Sequence, residues 1–252
     1  MPELPDVEGY RRVALEAAGR RVQRVDVLDR SLLRGGRPAA VEGARFGDPV
    51  RHGKWLFLPA GDAEVLMHFG MTGRLDWTRR RSSRHRHDRV VFVCGDGELR
   101  YRNMRKFGGV WISKRGRERV TGLLGPDAAD VDREHLHALL GGRRGGIKAA
   151  LMDQRLIAGL GNLMVDEIDW RARIHPRAGV RGLSRRRVDR LWEAMDHVVR
   201  ESLPAGHVPS IEGWLTGVRD ARDARCPRCG ARLRRATVAG RTTVWCPRCQ
   251  RR

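Results

Sequence analysis

Near its end the chain carries Cys226-Pro-Arg-Cys229 and Cys246-Pro-Arg-Cys249, two Cys-x-x-Cys knuckles sixteen residues apart. Few features restrict a fold as tightly. Each knuckle presents two thiols on one turn, and two facing knuckles supply the four soft ligands of a tetrahedral zinc site. Two disulfides are the other way to pair four cysteines. They need an oxidising compartment, and the N-terminus reads as lacking an apolar export segment. The spacing therefore predicts one structural Zn2+ held by Cys226, Cys229, Cys246 and Cys249. Four cysteine ligands leave no open coordination position, so such a metal builds a fold and performs no chemistry on a substrate. Between the knuckles, residues 238–244 read as a hairpin with Arg241 at its tip, where it can reach a phosphate. The fifth cysteine, Cys94, ends an apolar run and is expected to be a buried strand residue.

A ribbon of that size is a small part of 252 residues, and the rest suffices for one large domain or two modest ones. Charge narrows the function. Lys and Arg number 51 against 30 Asp and Glu, a net charge of +21, which predicts a polyanionic partner and salt-sensitive binding. Codon bias can explain why the only lysines are Lys54, Lys106, Lys114 and Lys148, but not the excess of base over acid. No run of about 18 apolar residues occurs, so a membrane role is not expected. A cytoplasmic nucleic-acid-binding protein is, associated with the nucleoid if the source is bacterial.

The chain opens Met1-Pro2-Glu3-Leu4-Pro5-Asp6-Val7-Glu8. Removal of Met1 would expose the secondary amine of Pro2. A free α-amino group titrates at about 7.7–8.0, roughly two and a half units below lysine. A neutral fraction therefore exists at pH 7 to attack a carbon of carbonyl character and form a Schiff base. Glu3, directly behind it, is a carboxyl that can give or take the accompanying proton. The plainer reading is that Pro2 only follows the initiator and Pro5 opens a helix.

Apolar residues at helical spacing (Val7, Tyr10, Val13, Ala14, Ala17) predict a helix over residues 5–19, ended by Gly19. Strands are expected at 22–28, 55–58, 65–69 and 90–94, then a hairpin at Gly95-Asp96-Gly97 into 99–102, and a strand at 110–113. Residues 1–120 thus read as a β-rich domain with one N-terminal helix, and 121–132, with Gly125-Pro126-Asp127, as a linker. Residues 133–223 read as helical: 132–140, 147–157, a glycine-bearing turn at 158–162, then 163–171, 184–203 and 211–215. The turn beside Lys148 suits backbone contact with phosphate. The zinc ribbon fills 224–252. The fold class expected is α+β, a β-sandwich-like N-terminal domain followed by a helical domain and the ribbon.

Three loops of the first half stand out. His52-Gly53-Lys54-Trp55 sets a rare lysine before a strand, and His68-Phe69-Gly70-Met71-Thr72-Gly73 puts a methionine between glycines. Asn103-Met104-Arg105-Lys106-Phe107-Gly108-Gly109 joins an arginine to a phenylalanine. Apolar wedges that enter DNA between bases have this composition. Met71 and Phe107 are equally readable as core residues at strand ends.

Taken in order, these motifs resemble the formamidopyrimidine-DNA glycosylase/endonuclease VIII family over essentially the whole chain. They are Pro2-Glu3-Leu4-Pro5, the Lys54 loop, the His-Phe-Gly-Met-Thr-Gly loop and the Arg-Lys-Phe-Gly loop, followed by Ile147-Lys148, Leu151-Met152-Asp153, Gly159-Leu160-Gly161-Asn162 and the four-cysteine ribbon. The resemblance implies a two-domain clamp with a helix-two-turn-helix module. It would act as a monomer on double-stranded DNA carrying a damaged base or abasic site, and turn the lesion out of the stack. It implies that Pro2 attacks C1′, that Glu3 protonates the sugar ring oxygen, and that β,δ-elimination follows. Lys54 and Arg241 would contact phosphate and serve the eliminations as proton donors. His87, Arg105, Lys148 and Asn162 would contact DNA, and Met71, Arg105 and Phe107 would fill the gap. Glu167 matches an acid of the family with a structural or pocket-lining role.

The chain also departs from the family pattern. Asp6 replaces a glutamate, Asn103-Met104 stands where an Asp-Pro precedes the arginine, and a basic position before Lys148 falls on Gly142, with Arg143 and Arg144 following. The segment from Trp214 to Cys226 is short and holds Arg219, Arg222 and Arg225, where the 8-oxoguanine-excising branch has a longer capping loop. The N-terminal motif and the Met/Arg/Phe set favour the formamidopyrimidine branch. Oxidised pyrimidines or abasic sites alone are the alternatives. A non-catalytic damaged-DNA-binding protein would have no need of Pro2 with Glu3, and an RNA-binding ribbon protein would more often show aromatic platforms than a wedge.

Overall fold

A computed structural model describes residues 1–79 and 82–251, which divide into two compact units, Met1–Leu123 and Leu124–Arg252. The first begins with α1 (Leu4–Leu15). Pro5 lies in its first turn, and Asp6 accepts the backbone N–H of Glu3 at 2.8 Å, so the helix start is capped by its own third residue. The helix is four residues shorter than its apolar pattern, because 16–19 form a turn in which Gly19 takes φ +76° and donates to the Phe46 carbonyl at 2.7 Å.

Nine strands follow: β1 (Val22–Val27), β2 (Leu33–Gly35), β3 (Val50–His52), β4 (Trp55–Ala60), β5 (Ala63–His68), β6 (Gly73–Thr78), β7 (Asp88–Cys94), β8 (Glu98–Asn103) and β9 (Gly109–Ser113). They make a four-stranded sheet ordered β1-β7-β8-β6 and a five-stranded sheet ordered β2-β9-β5-β4-β3, antiparallel except for the β2–β9 pair. Inward side chains of both sheets, among them Val25, Phe92, Leu99 and Tyr101 from one and Leu56, Leu58, Met67 and Val110 from the other, close on one core. Val7 and Ala14 of α1 join it. This is the expected sandwich. The outer face of the larger sheet is covered at Leu66 by α2 (Gly116–Thr121), where a Cβ on Gly116 would come within 2.6 Å of the leucine.

The second unit holds α3 (Arg133–Leu140), α4 (Ile147–Met152), α5 (Asn162–Arg171), α6 (Arg185–Ala205) and α7 (Leu215–Val218), then the hairpin β10 (Arg234–Val238) and β11 (Arg241–Trp245). Part of the stretch expected as a linker is built into this unit. Gly125 donates to Gln154 O, and Pro126 and Ala128 exchange backbone bonds with Ala158 at 2.8 and 2.9 Å. The helix expected over 147–157 stops at Met152. Asp153 turns the chain, its side chain accepting from Arg155 N at 3.0 Å and its carbonyl from Leu156 and Ile157. Gln154 then spans the turn, donating to Met152 O and Leu160 O and accepting from Gly159 N. Its amide thus ties the last carbonyl of α4 to the turn that leads into α5. Ile211 lies outside any helix and is exposed; the short helix is α7. Among the described residues no helix is long and apolar enough to cross a membrane.

Candidate functional site

Chain termini usually fray, but here Pro2 is buried and Glu3, the residue before α1, is only 1% exposed. Glu8 pairs with Arg51 of β3 at 3.4 Å, and the Tyr10 hydroxyl donates to Gly73 O at 3.1 Å while its ring packs 4.4 Å from Phe69. The N-terminal motif is thus docked through α1 on the Met71 loop.

That loop and the Arg105 loop present what the sequence left undecided. Met71 is 41% exposed and Phe107 57%, so neither is a core residue. The Arg105 guanidinium lies 5.2 Å over the Phe107 ring, a cation–π contact at the surface. Behind them Gly70, at φ +59°, nests on Phe107 O, where a Cβ would sit 1.6 Å from that oxygen. His87 is half-buried, with Nδ1 3.1 Å from the Arg89 guanidinium. Its pKa is lowered by partial loss of hydration and by Arg86 and Arg89, so the ring is neutral at physiological pH. Lys54, half-buried in the turn between β3 and β4, is the charged neighbour of His68. Burial, with that ammonium beside it, lowers the His68 pKa to about 4. The neutral ring accepts from Gly70 N at 3.3 Å and packs 4.9 Å from Trp55. Sequence reasoning singled out the motif containing His68 but not the residue.

In the second unit Lys148 departs from its expected role. Its side chain is 0% exposed and ion-paired with Asp166 of α5, so it does not present an ammonium to a phosphate. Asp166 also takes Arg219 at 2.8 Å and the Val244 amide of β11 at 3.2 Å. Burial moves the Lys148 pKa down and that of Asp166 up, with their pairing opposing both. The physical reason for the departure is local charge: α5 carries Asp166 and Asp169 on its buried side, and a buried carboxylate demands a cation. Asn162 begins α5, and its amide donates to Thr242 O at 2.9 Å, next to Arg241. Arg241 itself is exposed and is the first residue of β11, directly after the Ala239-Gly240 turn in which both residues have positive φ. The exposed tip is therefore a short step from a buried network of Lys148, Asp166 and Arg219. Glu167 is fully buried, accepting from Arg171 at 2.8 Å and from Thr216 N at 3.0 Å; burial raises its pKa. Among the basic residues near Gly142, Arg143 pairs with Asp153 at 3.4 Å and Arg144 is exposed.

The four knuckle cysteines are free thiols whose Sγ atoms all lie within 4.8 Å of one another, with closest separations of 3.5–3.9 Å. A disulfide needs about 2.05 Å. Sulfurs placed about 2.3 Å from a common tetrahedral centre are roughly 3.8 Å apart, so the set fits one Zn2+. Trp170 of α5 donates its indole N–H to Cys226 Sγ at 3.3 Å, and Gln250 braces the other knuckle through Cys246 N and Ile174 O. Cys94 is buried in β7, its thiol pushed up to about 11 by burial.

Three family models cover most of the chain. The formamidopyrimidine-DNA glycosylase N-terminal domain matches residues 1–110, the formamidopyrimidine-DNA glycosylase H2TH domain matches 124–211, and a zinc finger found in FPG and IleRS matches 225–252. The last agrees with the thiol geometry: the ribbon is a structural zinc site. Formamidopyrimidine-DNA glycosylase of Symbiobacterium thermophilum is 38% identical over 99% of this chain and 89% of its own length. The Lactococcus lactis enzyme, solved non-covalently bound to DNA containing an AP site, superposes with TM-score 0.90 at 27% identity, covering 99% of this chain and all of that one. The same enzyme in complex with DNA containing N7-benzyl-Fapy-dG gives TM-score 0.89 at 28% identity, with both chains fully covered.

Proposed function

Because the chain belongs to the formamidopyrimidine-DNA glycosylase family, we propose that it is a base-excision-repair glycosylase with abasic-site lyase activity, acting as a monomer on damaged duplex DNA. The observation that carries this reading is the burial of Pro2 and Glu3 at the fixed start of α1. Glu3 also caps the helix, its side chain accepting from the Asp6 backbone N–H, so the carboxyl is held at a fixed place directly behind Pro2.

Once Met1 is removed, the Pro2 nitrogen attacks C1′ of the extruded nucleotide and the base departs. Glu3 protonates the ring oxygen, the sugar opens, and the carbon–nitrogen link becomes an iminium. Its positive charge acidifies C2′, so the 3′ phosphate leaves by β-elimination and the 5′ phosphate by δ-elimination. Lys54 and Arg241 hold the phosphates and supply the protons lost to the leaving groups. His87, Arg105 and Asn162 contact the backbone, and Met71, Arg105 and Phe107 occupy the space of the extruded nucleotide. Lys148 acts only through Asp166, holding the hairpin that bears Arg241.

The favoured lesions are formamidopyrimidines and oxidised purines. The short segment after α7 weighs against 8-oxoguanine among them: Arg219 is drawn inward to Asp166, leaving few residues before Cys226 to cap a flipped base. Borohydride trapping on duplexes containing an abasic site, 8-oxoguanine, a formamidopyrimidine or 5-hydroxycytosine tests the proposal. The expected result is a Pro2 adduct located by mass spectrometry, lost in Pro2→Gly. Glu3→Gln should lower base excision by about 100-fold or more, in line with loss of a general acid, while duplex binding persists. A processed protein that binds every duplex and traps on none would be a damage-binding protein.

A further inference from the structure

We propose that Asn103 is the positioning residue that joins the Met71 loop and the Arg105–Phe107 loop into one rigid wedge; this rests on the glycosylase reading above. Asn103 ends β8, and its side chain is completely buried beneath the two loops. Its Nδ2 donates to Phe69 O at 3.3 Å and to the Tyr101 hydroxyl at 3.0 Å. Its Oδ1 accepts from Lys106 N at 2.9 Å and from Thr72 Oγ1 at 3.2 Å. Thr72 Oγ1 in turn accepts from Arg105 N at 2.9 Å. One amide thus bonds to the backbone or side chains flanking Met71 and, directly or through Thr72, to both residues preceding Phe107.

These partners engage both ends of the amide. A backbone N–H faces one end of the side chain and a backbone carbonyl the other, so one end must accept and the other donate. The Tyr101 hydroxyl spends its own proton on His68 O at 2.8 Å and can only accept from residue 103. Asparagine meets all four demands. Leucine, of nearly equal size, would make none of these bonds. The backbone of Asn103 extends the hub, its N–H donating to His87 O at 3.0 Å and its carbonyl accepting from Arg89 Nε at 2.9 Å. Lys106 stands in the left-handed region at φ 57°, a conformation that its bond to Asn103 holds. Met71, Arg105 and Phe107 are therefore exposed tips on a buried polar base shared by both loops.

Insertion must displace stacked bases, and a wedge already ordered loses less freedom on entry than two independent loops. Asn103 thus serves extrusion and not the reaction at Pro2. The test compares wild type with Asn103→Leu, which removes all four side-chain bonds, in single-turnover excision of the duplex lesion that wild type removes fastest. A second substrate, single-stranded abasic DNA, has no stack to open, and 2-aminopurine placed opposite the lesion reports wedge entry. Loss of buried hydrogen bonds predicts that excision and the fluorescence step slow by about tenfold or more. Scission of the single strand stays at the wild-type rate. Thr72→Val, which removes only the relay from Asn103 to Arg105, should show the same split more weakly and serves if Asn103→Leu does not fold. Equal rates on both substrates, or equal loss on both, overturn the inference. A wild-type protein that neither excises nor traps overturns the glycosylase reading instead.

Discussion

Asp169 shows what a single buried side chain can cost. It sits on α5 at 1% exposure, and neither carboxylate oxygen meets a hydrogen-bond donor among the described residues. Its nearest charges are Asp166, which repels, and Lys148, already committed to Asp166. Burial, and then Asp166, raise its pKa well above the ordinary 3.8. A folded-state pKa above the unfolded one means that the native protein keeps the proton longer. The residue's contribution is most favourable below about pH 3.8 and is lost as pH rises through the folded value. Asp169→Asn keeps the shape and removes the ionisation. It should stabilise the protein at pH 7.5, because the native state no longer has to hold a proton that the unfolded chain has lost. The gain should shrink as the pH falls toward 3.8. Denaturant titrations at several pH values measure it, and a gain independent of pH would mean that Asp169 titrates alike in the folded and unfolded states.

At the level of elements, the zinc ribbon is a two-stranded hairpin, which alone is at best marginally stable. Metal, Trp170 and the Asp166 network hold it: Trp170, Leu215, Cys226, Val244 and Cys246 pack together, and Arg228 stacks 4.3 Å over the indole. Trp170→Phe keeps the packing and deletes the N–H···S bond, and should weaken zinc binding by about 10-fold, as loss of an outer partner to a metal ligand does. Competition with a chelator reads this directly, and an unchanged zinc affinity would make Trp170 a packing residue only. The ribbon was legible in the sequence because ligand spacing is local, and most strands were because their apolar alternation is local too. Strand β6 was not: at the edge of its sheet it alternates Arg74, Asp76 and Thr78 with few apolar residues. The overrun of α4 has a similar cause. Leu156 and Ile157 continue the apolar pattern but are buried in a turn, and the Asp153 side chain that starts this turn acts at a range of two residues. The roles of Lys148 and Asn103 were hidden because each depends on partners distant in sequence. Three acids within four residues of α5, Asp166, Glu167 and Asp169, were the available sign that a cation must be buried beside them.

For the whole molecule, a net charge of +21 says less than how its acids are spent. Asp26, Asp29, Asp88, Glu98 and Asp166 each hold two cations. Lys106, with help from Ser31, keeps the Asp29 carboxyl down at about 2. Carboxylates are thus consumed inside arginine networks, and the excess of base is left to face a polyanion. Cations inside those networks should then contribute to folding, and those outside to binding. Two substitutions separate the classes. Arg241→Ala removes an exposed guanidinium proposed to meet a phosphate. It should weaken duplex binding and reduce the slope of log K against log salt by about 1, the share of one phosphate contact. Lys148→Met removes an equal charge from a buried pair. It should leave that slope unchanged while lowering stability by about 3–5 kcal/mol, because Asp166 is left with an unpaired oxygen. Binding titrations from low to moderate salt, beside denaturant unfolding, read both. A slope that falls in Lys148→Met as it does in Arg241→Ala would mean that the ammonium leaves Asp166 and reaches the backbone when DNA binds. The network would then be a latch on the hairpin instead of a fixed brace.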